Sequence, residues 1–263
     1  MCTDSRNGES TATVSRIETS LRRLPSSRTQ DVRAIRRVIS KELRDAPPHF
    51  VIHVALELVA RGGWQERFVA YELILKHPGA LAAVNARNAV ALASTLGDWA
   101  AVDTFACYVA GPAWREQQIS DSVIRQWAAS HDRWWRRAAV VCTVALNNKA
   151  RGGHGDARRT IDICRRVVAD RDDMVVKALS WALRELAKRD PATARAFVHA
   201  HAAQLAPRVR REVASKLDTG RKQPRHRGQA ARDQHGERVR LSSVHLPSTT
   251  EALVPAISES ADR

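Results

Sequence analysis

The stretch Met174-Val175-Val176-Lys177-Ala178-Leu179-Ser180-Trp181-Ala182-Leu183-Arg184-Glu185 decides the fold class. At about 100° per residue, Val175, Ala178, Leu179, Ala182, Leu183 and Leu186 share one stripe, the core side of a helix predicted over 171–189. Lys177, Trp181, Arg184 and Lys188 cluster within about 60° of one another on the opposite side. A tryptophan among three cations suits nucleic acid, with charges for phosphates and an indole for a sugar or base. A solvated basic face whose Trp181 packs on a neighbouring helix is the competing reading.

Outward from this helix the same texture repeats. Ala, Leu, Arg and Val recur at three- and four-residue spacing, and Pro47-Pro48, Gly62-Gly63, Pro78-Gly79, Gly97-Asp98, Gly111-Pro112, Gly152-Gly153, Asp190-Pro191 and Pro207 punctuate them. These breaks predict helices near 29–44, 47–61, 64–76, 79–95, 98–110, 112–129, 131–147, 156–169, 171–189, 191–203 and 206–217, with no alternating strand pattern. The expected fold is all-α, a HEAT-like helical-repeat solenoid, right-handed and C-shaped with a basic concave face, against a closed helical bundle as the alternative. Residues 1–26 and 219–263, polar and poor in large apolar side chains, are expected to be disordered around a folded domain at 27–218.

The chain of 263 residues carries a formal net charge of +15 and seven Trp against four Phe and two Tyr. The first 26 residues hold a net +1 and the last 45 a net +3, so +11 falls on the expected domain. Such a surplus favours polyanionic partners and salt-sensitive binding. Four cysteines without a C-x-x-C pair fit a reduced, cytoplasmic setting, and the sequence shows neither a signal layout nor an apolar run of membrane length. His199 and His201 fall on different helix faces, and metal, Gly-rich phosphate-loop and nucleophile-elbow motifs are all missing, so neither a metal nor a cofactor is expected.

Two further segments carry charge into apolar helices. In the helix opened by Asp98, Trp99, Val102, Asp103, Ala106 and Ala110 share a face, and Asp103 is its one carboxylate. It must meet a cation, cap a neighbour or face a cleft, because unpaired burial is costly; a structural Asp–Arg pair and catalysis both answer to that. The run His131-Asp132-Arg133-Trp134-Trp135-Arg136-Arg137 opens a helix apolar nearly all round from Ala138 to Leu146. Arg137, opposite its Trp135/Ala139/Cys142/Leu146 stripe, is placed to clamp a phosphate or to form a surface salt bridge.

Trp99-x-x-x-Asp103, Trp134-Trp135-Arg136-Arg137-Ala138-Ala139, Lys177 to Glu185 and the helix start Leu205-Ala206-Pro207-Arg208-Val209-Arg210-Arg211-Glu212 together resemble the AlkD family of DNA alkylation repair enzymes, over about residues 28–218. Members are HEAT-like-repeat DNA glycosylases. The resemblance implies a monomeric, nucleoid-associated enzyme that excises cationic alkylpurines such as N3-methyladenine or N7-methylguanine from double-stranded DNA, with the base left near the stack. It matches Asp103 to the catalytic carboxylate, Trp99 and Trp181 to the aromatic walls of the lesion cleft, and Arg137 to a DNA-backbone contact. Lys177, Arg184 and Lys188 are added as phosphate contacts from the helix face alone. Met1–Pro25 carries no aromatic residue where members usually begin with an aromatic-rich helix, so a non-catalytic scaffold for distorted or branched DNA is the alternative function, and a protein-binding adaptor a third.

Overall fold

The structure is a computed structural model that describes residues 2–223, with side chains from Gly8 onward; the basic tail from position 224 lies outside the described residues. Among the described residues every regular element is helical. In chain order these are α1 (Cys2–Arg22), α2 (Thr29–Glu42), α3 (Pro48–Ala60), α4 (Trp64–Lys76), a 3-10 turn (Leu81–Ala83), α5 (Ala86–Leu92) and α6 (Trp99–Phe105). A π-helical turn (Ala106–Ala110), α7 (Gly111–Arg115), α8 (Asp121–Ala128) and α9 (Arg133–Asn147) follow. After a 3-10 turn (Lys149–Arg151) come α10 (Ala157–Arg166), α11 (Asp173–Leu186), α12 (Pro191–Ala200) and α13 (Pro207–Thr219).

Helices pack mainly on near neighbours in the chain: α1 on α3, α2 on α4, α8 on α10, α9 on α11, and α11 on α13. That local adjacency is the pattern of a helical-repeat fold, in which each unit buries its apolar face against the next. The stripe Val175, Ala178, Leu179, Ala182, Leu183 and Leu186 of α11 is buried throughout, and α9, which packs on α11, buries Ala139, Cys142 and Leu146.

Four expectations need correction. The first 26 residues are not disordered: α1 buries Val14, Ile17 and Leu21 against α3, and Arg61 pairs with Glu18 at 3.4 Å. These three apolar side chains at i, i+3 and i+7 share one helix face, and Ser10 and Thr13 are buried with them. The helix expected over 79–95 is divided by Asn85, whose side chain accepts from the Asn88 amide at 3.0 Å while that of Asn88 accepts from the Asn85 amide at 2.8 Å. This reciprocal cap restarts the chain as α5.

Gly111-Pro112 does not break the helix as expected. The π turn carries the chain from α6 straight into α7, the Gly111 amide donating five residues back to the Ala106 carbonyl. A widened turn leaves a carbonyl without its usual donor, so the N–H that Pro112 lacks is not needed. The helix ends instead at Gln117, whose φ of 62° is left-handed, and α8 begins separately at Asp121. Finally, the folded unit runs past 218: α13 ends on Gly220 at φ 72°, and the Arg221 carbonyl accepts from Ser215 Oγ at 3.1 Å.

Candidate functional site

Three helices that carry the selected residues begin on aspartate caps. Asp98 accepts from the Ala101 amide (2.9 Å), Asp132 from the Trp134 amide (2.8 Å) and Asp172 from the Met174 amide (2.8 Å), which fixes where α6, α9 and α11 start. Those starts bring Asp103, Arg137 and Met174 together. Arg137 donates through Nε to Asp103 Oδ1 at 2.9 Å and through Nη2 to Oδ2 at 2.8 Å, while Nη1 donates to the Met174 carbonyl at 2.5 Å. One guanidinium thus ties α6, α9 and α11.

This fork is the planar, two-point geometry in which arginine binds carboxylate most strongly. Arg137 is only 5% exposed, and three of its five donors are spent inside the protein. The sequence alone points it at a phosphate or a surface salt bridge; the fold buries it and turns it onto Asp103. Burial pushes the Asp103 carboxyl above the usual carboxylate range, and the hydrogen bonds and charge of Arg137 pull the other way. Asp103 keeps partial access to solvent, with 19% of its side chain exposed.

Trp99 lies one turn before Asp103 and is 58% exposed, an unusual state for a tryptophan with no ring partner among the described residues. Trp181 is half-buried against the core, two turns beyond Met174. Lys177 and Arg184 of α11, and Lys188, which lies two residues past its end rather than within the helix expected to 189, all have acidic neighbours. Lys177 pairs with Asp173 at 2.5 Å, Lys188 with Glu185 at 2.6 Å, and Arg184 donates to Ser180 Oγ at 3.3 Å with Glu212 at 3.8 Å. Burial lowers the Arg184 pKa from its ordinary value. Lys188 is the most exposed of the three.

Residues 12–217 match the model of the family described as DNA alkylation repair enzyme. The chain belongs to that family. Membership assigns it to the repair of alkylation damage in DNA, and the match begins inside α1, well before the residue 28 at which the motifs begin to show the likeness. A search of curated proteins finds no match to the chain. In this chain the candidate site holds the exposed Trp99 and the carboxylate of Asp103 on α6 and the buried Arg137 on α9.

Sequence reasoning missed a second group of polar residues beside this site. A cavity of about 650 Å³ opens between α2, α4, the π turn with α7, and the turn after α9, lined among others by Arg33, Glu72, Lys76, Tyr108, Arg115 and Arg151. The available signal was slight: Tyr108 is one of two tyrosines in the chain, and the cations sit on four separate segments.

Proposed function

We propose that the protein is a DNA glycosylase that hydrolyses the N-glycosidic bond of cationic alkylpurines in double-stranded DNA, with Asp103 as its catalytic carboxylate. The observation that carries this is the state of Asp103: a carboxylate oriented at both oxygens by a buried arginine, yet open to solvent, one turn from an exposed indole. Alkylation at N3 or N7 makes the purine a positively charged leaving group, so little acid assistance is required. The deoxyribose becomes oxocarbenium-like as the bond breaks, and a fixed carboxylate stabilises that charge and aligns water, as in other glycosidic cleavages.

In this reading Arg137 is a positioning residue that keeps Asp103 ionised and still, despite burial. Trp99 and Trp181 face the sugar, whose developing charge aromatic faces favour. Lys177, Arg184 and Lys188 contact phosphates, exchanging their intramolecular carboxylates for the backbone. DNA is the partner and the enzyme acts as a monomer.

The same fork favours a second reading. Arg137 supplies partners to both Asp103 oxygens, as a purely structural ion pair would, which suits a non-catalytic scaffold on distorted DNA. Release of free N7-methylguanine or N3-methyladenine from methylated duplex DNA, measured for wild type and Asp103→Asn at equal DNA occupancy, separates the two. A loss of about a hundredfold or more in single-turnover rate with binding retained is expected, the scale on which one oriented electrostatic group acts. Binding without release by the wild type overturns the glycosylase reading in favour of the scaffold.

A further inference from the structure

The cavity beside Asp103 has a charge imbalance that the fold does not use. Five cations line it, Arg33, Arg36, Lys76, Arg115 and Arg151, against the single carboxylate of Glu72. Glu72 is already shared, accepting from Arg33 Nε at 2.8 Å and from Arg36 Nε at 2.9 Å. Arg115 donates to Glu116 at 2.8 Å and to the Arg151 carbonyl at 2.8 Å. Lys76 and the guanidinium of Arg151 pair with no carboxylate among the described residues. Two uncompensated cations at the mouth of a cavity hold a standing attraction for an anion.

Aromatic rings lie beside several of these cations. Arg151 lies over the Tyr108 ring at 5.1 Å, Tyr108 and Arg33 line the same cavity, and Arg33 lies over Phe68 at 5.1 Å. Phe68 meets Trp64 at 6.4 Å between centroids, and Trp64, 43% exposed, shares a groove with Ala100 and Thr104 of α6. Cations interleaved with aromatics on neighbouring elements match a chain of sugars and phosphates better than one isolated anion.

We propose that this cavity seats backbone phosphates of the DNA strand that passes Asp103, with Lys76 and Arg151 as the phosphate-binding cations and Tyr108 as the wall against the sugar. The assignment rests on the DNA-acting reading above, but not on catalysis by Asp103. It adds a grip drawn from α4, the π turn and the turn after α9, independent of Lys177, Arg184 and Lys188. Phosphate binding of this kind fixes register and carries no sequence preference.

The test is the salt dependence of binding to undamaged duplex DNA, read by fluorescence anisotropy of the full chain. Lys76→Gln/Arg151→Gln should weaken binding by about ten- to a hundredfold at low salt and reduce the slope of log affinity against log salt by about 2, near 0.9 for each phosphate that the protein no longer neutralises. Lys76→Arg/Arg151→Lys should restore the slope. Both side chains are exposed or half-buried, so thermal melts should stay unchanged and show that the variants fold. An unchanged slope overturns the proposal. So does saturation of the wild type by a free deoxynucleoside monophosphate or inorganic phosphate, if the Gln variants abolish that binding while leaving the DNA slope intact. Base release keeps the two readings apart: a lowered slope in a protein that releases no base supports the cavity assignment and sinks the glycosylase, and release with an unmoved slope does the reverse.

Discussion

Burial and the Arg137 fork act on the Asp103 carboxyl in opposite directions, and burial is the larger of the two. The native state therefore holds the Asp103 proton more tightly than the unfolded chain does. By linkage its contribution to stability is present below the ordinary value of 3.8 and is lost as pH rises through the raised native value. Base release needs the ionised form, so the acid limb of the single-turnover rate should lie above 3.8. Arg137→Met removes the opposing charge while leaving the burial, and should move that limb to still higher pH; a limb that stays put would remove Arg137 from any positioning role. The same residue carries structure. Arg137→Ala leaves Asp103 and the Met174 carbonyl without their partner, at a cost of about 3 kcal/mol for breaking a mostly buried pair. For a domain of this size that corresponds to a fall in melting temperature of roughly 6–12 °C, which calorimetry would register.

At the scale of elements, what the sequence reveals depends on whether helical periodicity holds. It holds in α11, where the six stripe residues named from the wheel are buried while Lys177, Trp181 and Arg184, and Lys188 just past its end, are less buried. It also places Asp103 on the face that meets Arg137, as one of two roles its solitary charge allows. It fails in α1, because Ser, Thr, Arg and Glu fill the positions between Val14, Ile17 and Leu21 and no stripe stands out. It fails again past Phe105, since one π turn shifts every later residue against the wheel and carries the helix through a Gly-Pro pair that reads as a stop. That failure also hides Tyr108 and its cavity: they depend on a turn type and on four segments distant in sequence. The π turn makes Gly111 a close-approach position, where an added Cβ would lie 2.6 Å from the Ala106 carbonyl oxygen, 2.7 Å from Ala145 Cβ and 2.9 Å from the Cys142 carbonyl oxygen. Gly111→Ala should cost about 1–3 kcal/mol, the range for overpacking, despite alanine's better helix propensity. Chemical denaturation would measure it, and a neutral or stabilising result would mean that α7 and α9 can separate more readily than their packing indicates.

For the whole molecule the governing quantity is a net charge of +15 in a family that acts on DNA. Its distribution divides the chain at a definite place. Ser215 Oγ holds the Arg221 carbonyl at 3.1 Å and Lys222 lies 3.8 Å from Glu212, so a cut after 218 strips α13 of partners that a cut after Gln223 preserves. Beyond Gln223 the sequence contains six Arg, five of them within 225–240, against five acids in all. Deleting 224–263 should leave the melting temperature within about 1 °C, because the matched family domain ends at 217 and the cap of α13 stays whole. If the arginine-rich part of the tail touches phosphates without regard to sequence, the deletion lowers DNA affinity and flattens the salt slope by about 0.9 for each phosphate the tail had neutralised. It should do so equally for undamaged and methylated duplexes, leaving the single-turnover rate at saturating enzyme unchanged, since the tail then adds affinity and no chemistry. Equal binding with and without the tail would locate the whole electrostatic grip on residues 1–223, where Lys177, Arg184, Lys188 and the cavity beside Asp103 would have to account for it.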